Sequence, residues 1–139
     1  MIRIADIMTR SVAAVGRDET LQAAARRMRD MDVGALPVTD GRALAGMVTD
    51  RDITVRGVAE GMDAEEALVA DVMTDDVSFC SETDSIESVM ARMGDAQVRR
   101  LPVLGANGEV VGIVALADLA TRQSVPTDET LREISTPDH

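Results

Sequence analysis

Ala5-Asp6-Ile7-Met8-Thr9 returns 65 positions later as Ala70-Asp71-Val72-Met73-Thr74, and this echo decides the fold. Over residues 5–38, twelve of 34 positions are identical to the residue 65 further on. They include Val12 with Val77, Arg27-Met28 with Arg92-Met93, and Leu36-Pro37-Val38 with Leu101-Pro102-Val103. The offset then becomes 66, because Asp40-Gly41 of the first copy corresponds to the longer Gly105-Ala106-Asn107-Gly108 of the second. That is a hairpin turn, where one more residue costs little. Gly46, Val48 and Asp52 thereafter match Gly112, Val114 and Asp118.

Each copy predicts an opening turn, a strand, a helix, a hairpin and a closing helix, βαββα twice over in an α+β chain. Leu21, Ala24, Ala25 and Met28 recur at helical spacing behind Thr20, as do Ile86, Val89, Met90 and Met93 behind Ser85; Thr and Ser suit the N-cap. The hairpins pair Leu36–Thr39 with Leu44–Thr49 and Leu101–Leu104 with Val110–Ala115. The expected organisation is repeat 1 over 5–57, an acidic helical connector over 58–69 with a capping box at Asp63–Glu66, repeat 2 over 70–123, and a tail over 124–139. The tail predicts a short helix from Pro126 to Ile134 and no chemistry. Met8, Met28, Met73, Met90 and Met93 fall on apolar stripes and read as core, Cys80 as a small buried strand residue, and Arg26, Arg27 and Arg29 as a solvated helix face.

Composition removes whole classes of chemistry. A chain of 139 residues that is 45% hydrophobic holds a real core. All 14 basic residues are Arg and the lone His is His139, so P-loop, Schiff-base, triad and zinc chemistries lack their residues. No metal site is expected. Asp50 and Asp52 are adjacent acids with no third ligand spaced to converge, so an enzyme working through carboxylates and a metal is disfavoured. The net charge of -11 disfavours nucleic acid, and the single Cys80 suits a reducing compartment. The N-terminus lacks the apolar run of a signal peptide and no stretch approaches a membrane span, so a cytoplasmic protein without a membrane partner is expected.

The doubled unit resembles a pair of CBS domains, the tandem called a Bateman module, over residues 5–123. The resemblance rests on the Ala-Asp-Ile-Met-Thr opening, the Leu-Pro-Val strand and the closing Gly46-Met47-Val48-Thr49-Asp50-Arg51-Asp52-Ile53, similar to that family's Gly-hydrophobic-x-Thr/Ser-x-x-Asp signature. The chain is similar to small stand-alone bacterial CBS pairs such as those of the mycobacterial hypoxic-response type. The resemblance implies two βαββα units packed about a pseudo-two-fold axis, inter-repeat clefts that hold adenosine-containing ligands, and a homodimer. It also implies a non-enzymatic regulatory role, energy sensing among them, exerted on a partner in trans. AMP, ADP, ATP and S-adenosylmethionine are the ligands implied, with no obligatory cofactor.

Thr49 and Asp52 are the leading site candidates, at a helix N-terminus whose amide groups favour anions; the resemblance implies that the hydroxyl donates to phosphate and the carboxylate accepts from two ribose hydroxyls. The same spacing fits a plain capping box, and both readings can hold together. In the second copy Asp118 is kept but Ala115 stands where the hydroxyl belongs, which predicts weaker phosphate binding there. Arg99 and Arg100 stand where the family reaches phosphates, whereas copy one has Gly34-Ala35. Val12, Ala14, Ala35, Val77 and Phe79 are candidates to face the base, with ordinary core packing as their other reading. The alternative function is a ligand-free constitutive dimer or interaction scaffold.

Overall fold

Local sequence signals start the fold, and the structure, a computed structural model, describes residues 2–10 and 13–123. A 3₁₀ turn, Ile4–Asp6, opens the chain, followed by β1 (Thr9–Arg10), β2 (Val15–Gly16), α1 (Leu21–Met31), β3 (Ala35–Asp40) and β4 (Ala43–Thr49). A short α2 (Asp50–Asp52) then runs on as a π-helical stretch, Ile53–Val58. A second 3₁₀ turn, Val69–Asp71, precedes β5 (Cys80–Ser81), α3 (Ile86–Ala96), β6 (Arg100–Leu104), β7 (Val110–Ala115) and α4 (Leu116–Gln123). The α+β class is as expected. The predicted tail helix and Val12 lie outside the described residues.

Both helix starts are capped as the sequence indicates. Thr20 accepts from the N–H of Ala23 and Ser85 from that of Ser88. Both helices end alike, on Asp32 and Gln97 in the left-handed region at φ 55° and 56°. Each presents one apolar stripe inward: Leu21, Ala24 and Met28 on α1, and Ile86, Val89 and Met93 on α3.

The chain forms two compact units. Among the described residues the first comprises 13–77 with 108–110, and the second 2–10, 78–107 and 111–123. In the first unit β2 pairs parallel with β3 (Val15 opposite Val38), and β3 pairs antiparallel with β4 (Ala35 opposite Thr49). The sheet of the second runs β1-β7-β6-β5, with Thr9 opposite Ile113 and Cys80 opposite Val103.

Each compact unit takes its opening turn from the other sequence repeat. In the first unit, Val69 and Ala70 donate to the carbonyls of Glu19 and Arg17 at 2.8 and 3.0 Å. Met47 and Thr74 exchange both backbone bonds at 2.9 Å, and Val69 and Val72 complete a core with Val15, Leu21, Leu36 and Val48. In the second unit Ile4 and Ala5 donate to Asp84 and Glu82, and Ile4 and Met8 complete a core with Ile86, Val89, Leu101 and Leu119. Two glycines make room for these straps. A Cβ on Gly46 would collide with the Thr74 carbonyl oxygen, and one on Gly112 would stand 2.7 Å from that of Thr9.

Cys80 is fully buried, its thiol pushed up to about 12, chiefly by burial. The five methionines read as core are buried or pack against the cores. Two expectations are corrected. The connector is a chain of turns, not a helix, although Asp63 does start one, accepting from the N–H of Glu65 at 2.9 Å. Its carbonyls at Ala64 and Ala67 accept the N–H groups of Gln22 and Leu21, so it closes the open end of α1. Arg27, moreover, is not a solvated residue, as the site geometry makes plain.

Candidate functional site

Residues of the first repeat meet at the end of β4. Thr49 leaves the strand opposite Ala35 and becomes the N-cap of α2. Its Oγ1 accepts from the N–H of Asp52 at 3.0 Å, while Asp52 Oδ2 accepts from the N–H of Thr49 at 3.0 Å. The capping box is therefore built. What remains is the hydroxyl hydrogen of Thr49 and the second carboxylate oxygen of Asp52, 3.9 Å from Arg56 Nε. The Asp52 side chain is 16% exposed, and the corner sets a donor beside an acceptor.

The expectation of open amide groups at this helix start does not hold. The N–H of Asp50 donates to the Gly34 carbonyl at 3.0 Å, that of Arg51 to Asp50 Oδ1 at 2.8 Å, and that of Asp52 to Thr49. The next N–H, of Ile53, donates to the Asp50 carbonyl. Every amide of the first turn is satisfied from within the chain.

Ala14 lies elsewhere in this unit, lining an open depression of about 480 Å³ with Ala13, Ala23, Arg26, Arg27, Asp30 and Met31. Its carbonyl accepts from Arg27 Nη1 at 2.7 Å, and the Arg27 guanidinium makes two 3.0 Å bonds to Glu19. Glu19 in turn accepts from the N–H of Gly16 at 2.7 Å. The second unit repeats the device: Arg92 donates to the Phe79 carbonyl at 2.7 Å and lies 3.4 Å from Asp84, which accepts from the N–H of Ser81 at 2.9 Å. The identity of Arg27 with Arg92 across the repeats was the one signal that could have found it.

In the second unit Arg99 and Arg100 are exposed at the start of β6, and the Arg99 carbonyl accepts from the N–H of Leu116 at 2.7 Å. Asp118 is exposed in the first turn of α4, and Ala115 closes β7. Phe79 is 49% exposed, which removes core packing as its role; Val77 is half-buried. Ala35, Thr49 and Asp52 thus share one corner, Arg99 and Arg100 stand by the start of α4, and Ala14 lines a different surface. Among the described residues no group of three acidic, His or Cys side chains gathers as a metal site, and no helix is long and apolar enough to cross a membrane.

The sequence profile of the CBS domain matches residues 4–57 and 69–125. The chain belongs to the CBS domain family. It is 43% identical over 116 residues to Hypoxic response protein 1 of Mycobacterium tuberculosis, covering 83% of this chain and 80% of that protein. A crystal structure of Hypoxic Response Protein I with two coordinated zinc ions superposes with a TM-score of 0.78 at 41% identity, over 88% of this chain and 99% of that one. CBSX2, solved in complex with AMP, shares the fold at a TM-score of 0.75 and 23% identity, over 91% of this chain and 98% of that one.

Proposed function

We propose that this CBS pair is a non-enzymatic regulatory module that binds an adenosine-containing ligand at the Thr49–Asp52 corner and acts on a protein partner in trans, in the cytoplasm. The observation that carries the reading is that corner itself. Within a family-matched repeat, Ala35, Thr49 and Asp52 stand together, and one hydroxyl hydrogen and one carboxylate oxygen are left over from the capping box. A nucleoside offers the complementary set, a sugar diol that donates and oxygens that accept. Phe79, Arg99, Arg100 and Asp118 of the second unit, together with Val12, are further proposed ligand contacts, the two arginines toward anionic groups; Ala14 is proposed for the depression that it lines. A homodimer is part of the proposal, supported by Met31, Val55 and Val58 in the first unit, which are 51%, 45% and 64% exposed.

Thermal shift tests the reading directly. AMP, ADP, ATP, adenosine and S-adenosylmethionine are each added to the protein and to Asp52→Ala. A ligand at 100 times its dissociation constant adds ~2.7 kcal/mol, several degrees in a chain of this size. A shift in the wild type that the variant loses supports the module; no shift with any compound moves the function to the ligand-free scaffold. The completed capping box favours that second reading, because it gives Thr49 and Asp52 a structural task of their own.

A further inference from the structure

Phe79 is the only aromatic residue of the chain, and it stands 49% exposed. Aromatic side chains carry a large apolar area at a low cost in conformational freedom, which makes them the usual anchors of protein contacts. The backbone beneath this one is held firmly: β5 begins at the next residue, and Arg92 of α3 donates to the Phe79 carbonyl at 2.7 Å.

The equivalent residue of the first repeat, 65 positions earlier, is Ala14, whose carbonyl Arg27 holds in the same way at 2.7 Å. There the surface is hollow. Ala14 and Ala23 line the open depression of about 480 Å³, together with the half-exposed Met31. At one and the same place, one repeat raises a ring and the other leaves room for one.

Charge has diverged with shape. In the first unit Arg27 is paired with Glu19, and Asp30 with Arg29. Arg26 is left over at the depression, exposed and with no partner among the described residues. In the second unit Ala91 replaces Arg26 and Arg92 is paired with Asp84. Here the charge left over is Asp95, one turn beyond Arg92 on α3, exposed and with no partner among the described residues. A hollow face with a spare cation thus stands against a raised face with a spare anion.

We propose that these two faces bind each other between copies of this chain. Phe79 of one copy seats in the depression formed by Ala14, Ala23 and Met31 of a second copy, and its Asp95 meets the Arg26 of that copy. Neither face is covered within its own chain, where the ring is half in solvent and the depression is open. The contact goes beyond the homodimer proposed from exposed apolar residues, because it is made by two unlike surfaces and prescribes which residue meets which. A seated ring does not face a ligand, so the two uses proposed for Phe79 exclude each other at any instant.

Sedimentation velocity of the full chain over a concentration series, without ligand, tests the contact. Phe79→Ser removes the ring, and Ala14→Phe fills the hollow with the side chain that the second repeat already carries there. Each variant alone should associate about tenfold or more weakly than the wild type. Their equimolar mixture should associate more tightly than either, because one supplies the depression and the other the ring. Arg26→Glu and Asp95→Arg lie on exposed helix surface and test the charges separately. Each alone should weaken association several-fold, and mixing the two restores opposite charges at the contact and should recover it. Variants that associate like the wild type, or mixtures that regain nothing, overturn the inference and leave the homodimer reading standing. A wild type that stays monomeric throughout the series overturns both.

Discussion

The guanidinium of Arg27 holds three groups at once: the Ala14 carbonyl and both oxygens of Glu19, whose Oε2 also caps Gly16. It ties the strand before α1 to the helix itself. Arg27→Ala should cost about 1–2 kcal/mol in urea unfolding, since it orphans a carbonyl and a carboxylate that are only partly hydrated. Arg27→Lys should recover less than half, because a point charge does not reproduce the fork. The hydrogen bond from Arg27 is the main reason the Glu19 carboxyl lies below the ordinary glutamate value; the Gly16 N–H helps and burial opposes. A depressed carboxyl stabilises the fold above its unfolded pKa and loses that contribution as the pH falls through the folded one. Wild-type stability should therefore drop more steeply below about pH 4 than that of Arg27→Ala, by a modest margin because both side chains are about a third exposed. A pH series of urea melts on the two proteins checks the sign. None of this was legible in the helix pattern, because the partners come from a turn 8 and 13 residues upstream.

Elements set by near neighbours were the ones the sequence disclosed. Thr20 and Ser85 cap the helices predicted behind them, and the hairpins follow from branched apolar runs around a glycine turn. The connector was misread because its shape is imposed from outside. Its acidic residues suggest a helix, but the carbonyls of Ala64 and Ala67 are recruited by the first turn of α1, and a helix there would withdraw them. At the candidate site the capping box was legible from its spacing, whereas the closure of the Arg51 amide by Asp50 depends on a rotamer that no pattern specifies. Element scale also governs the straps. Gly46→Ala forces a methyl group into the Thr74 carbonyl and should cost about 3 kcal/mol in denaturant unfolding, the upper end of overpacking. Gly112→Ala meets the Thr9 carbonyl oxygen at 2.7 Å and the Met8 sulfur at 2.9 Å and should be destabilising to a similar degree, whereas Gly94→Ala, which has no neighbour within 4 Å, should stabilise α3 slightly.

Across the whole chain the repeat seen in the sequence and the unit seen in space differ by one segment. Residues 13–77 contain every member of the first core, including Val69 and Val72, each fully buried and together worth about 3–5 kcal/mol. That is most of the stability a unit of this size commands. Residues 13–77 should fold alone, with cooperative urea unfolding and helical circular dichroism, whereas 5–57, the first repeat by sequence, should not. Equal folding of the two pieces would show the strap to be dispensable.

The exchanged straps also give the chain an order of birth. As it leaves the ribosome, the first core closes once Val72 emerges, while Ile4 and Met8, made before every member of that core, wait for Leu101, Val114 and Leu119 before they find their places. A segment made before the first core is thus folded in after it, and until Leu119 is made its apolar side chains remain available to whatever escorts new polypeptides.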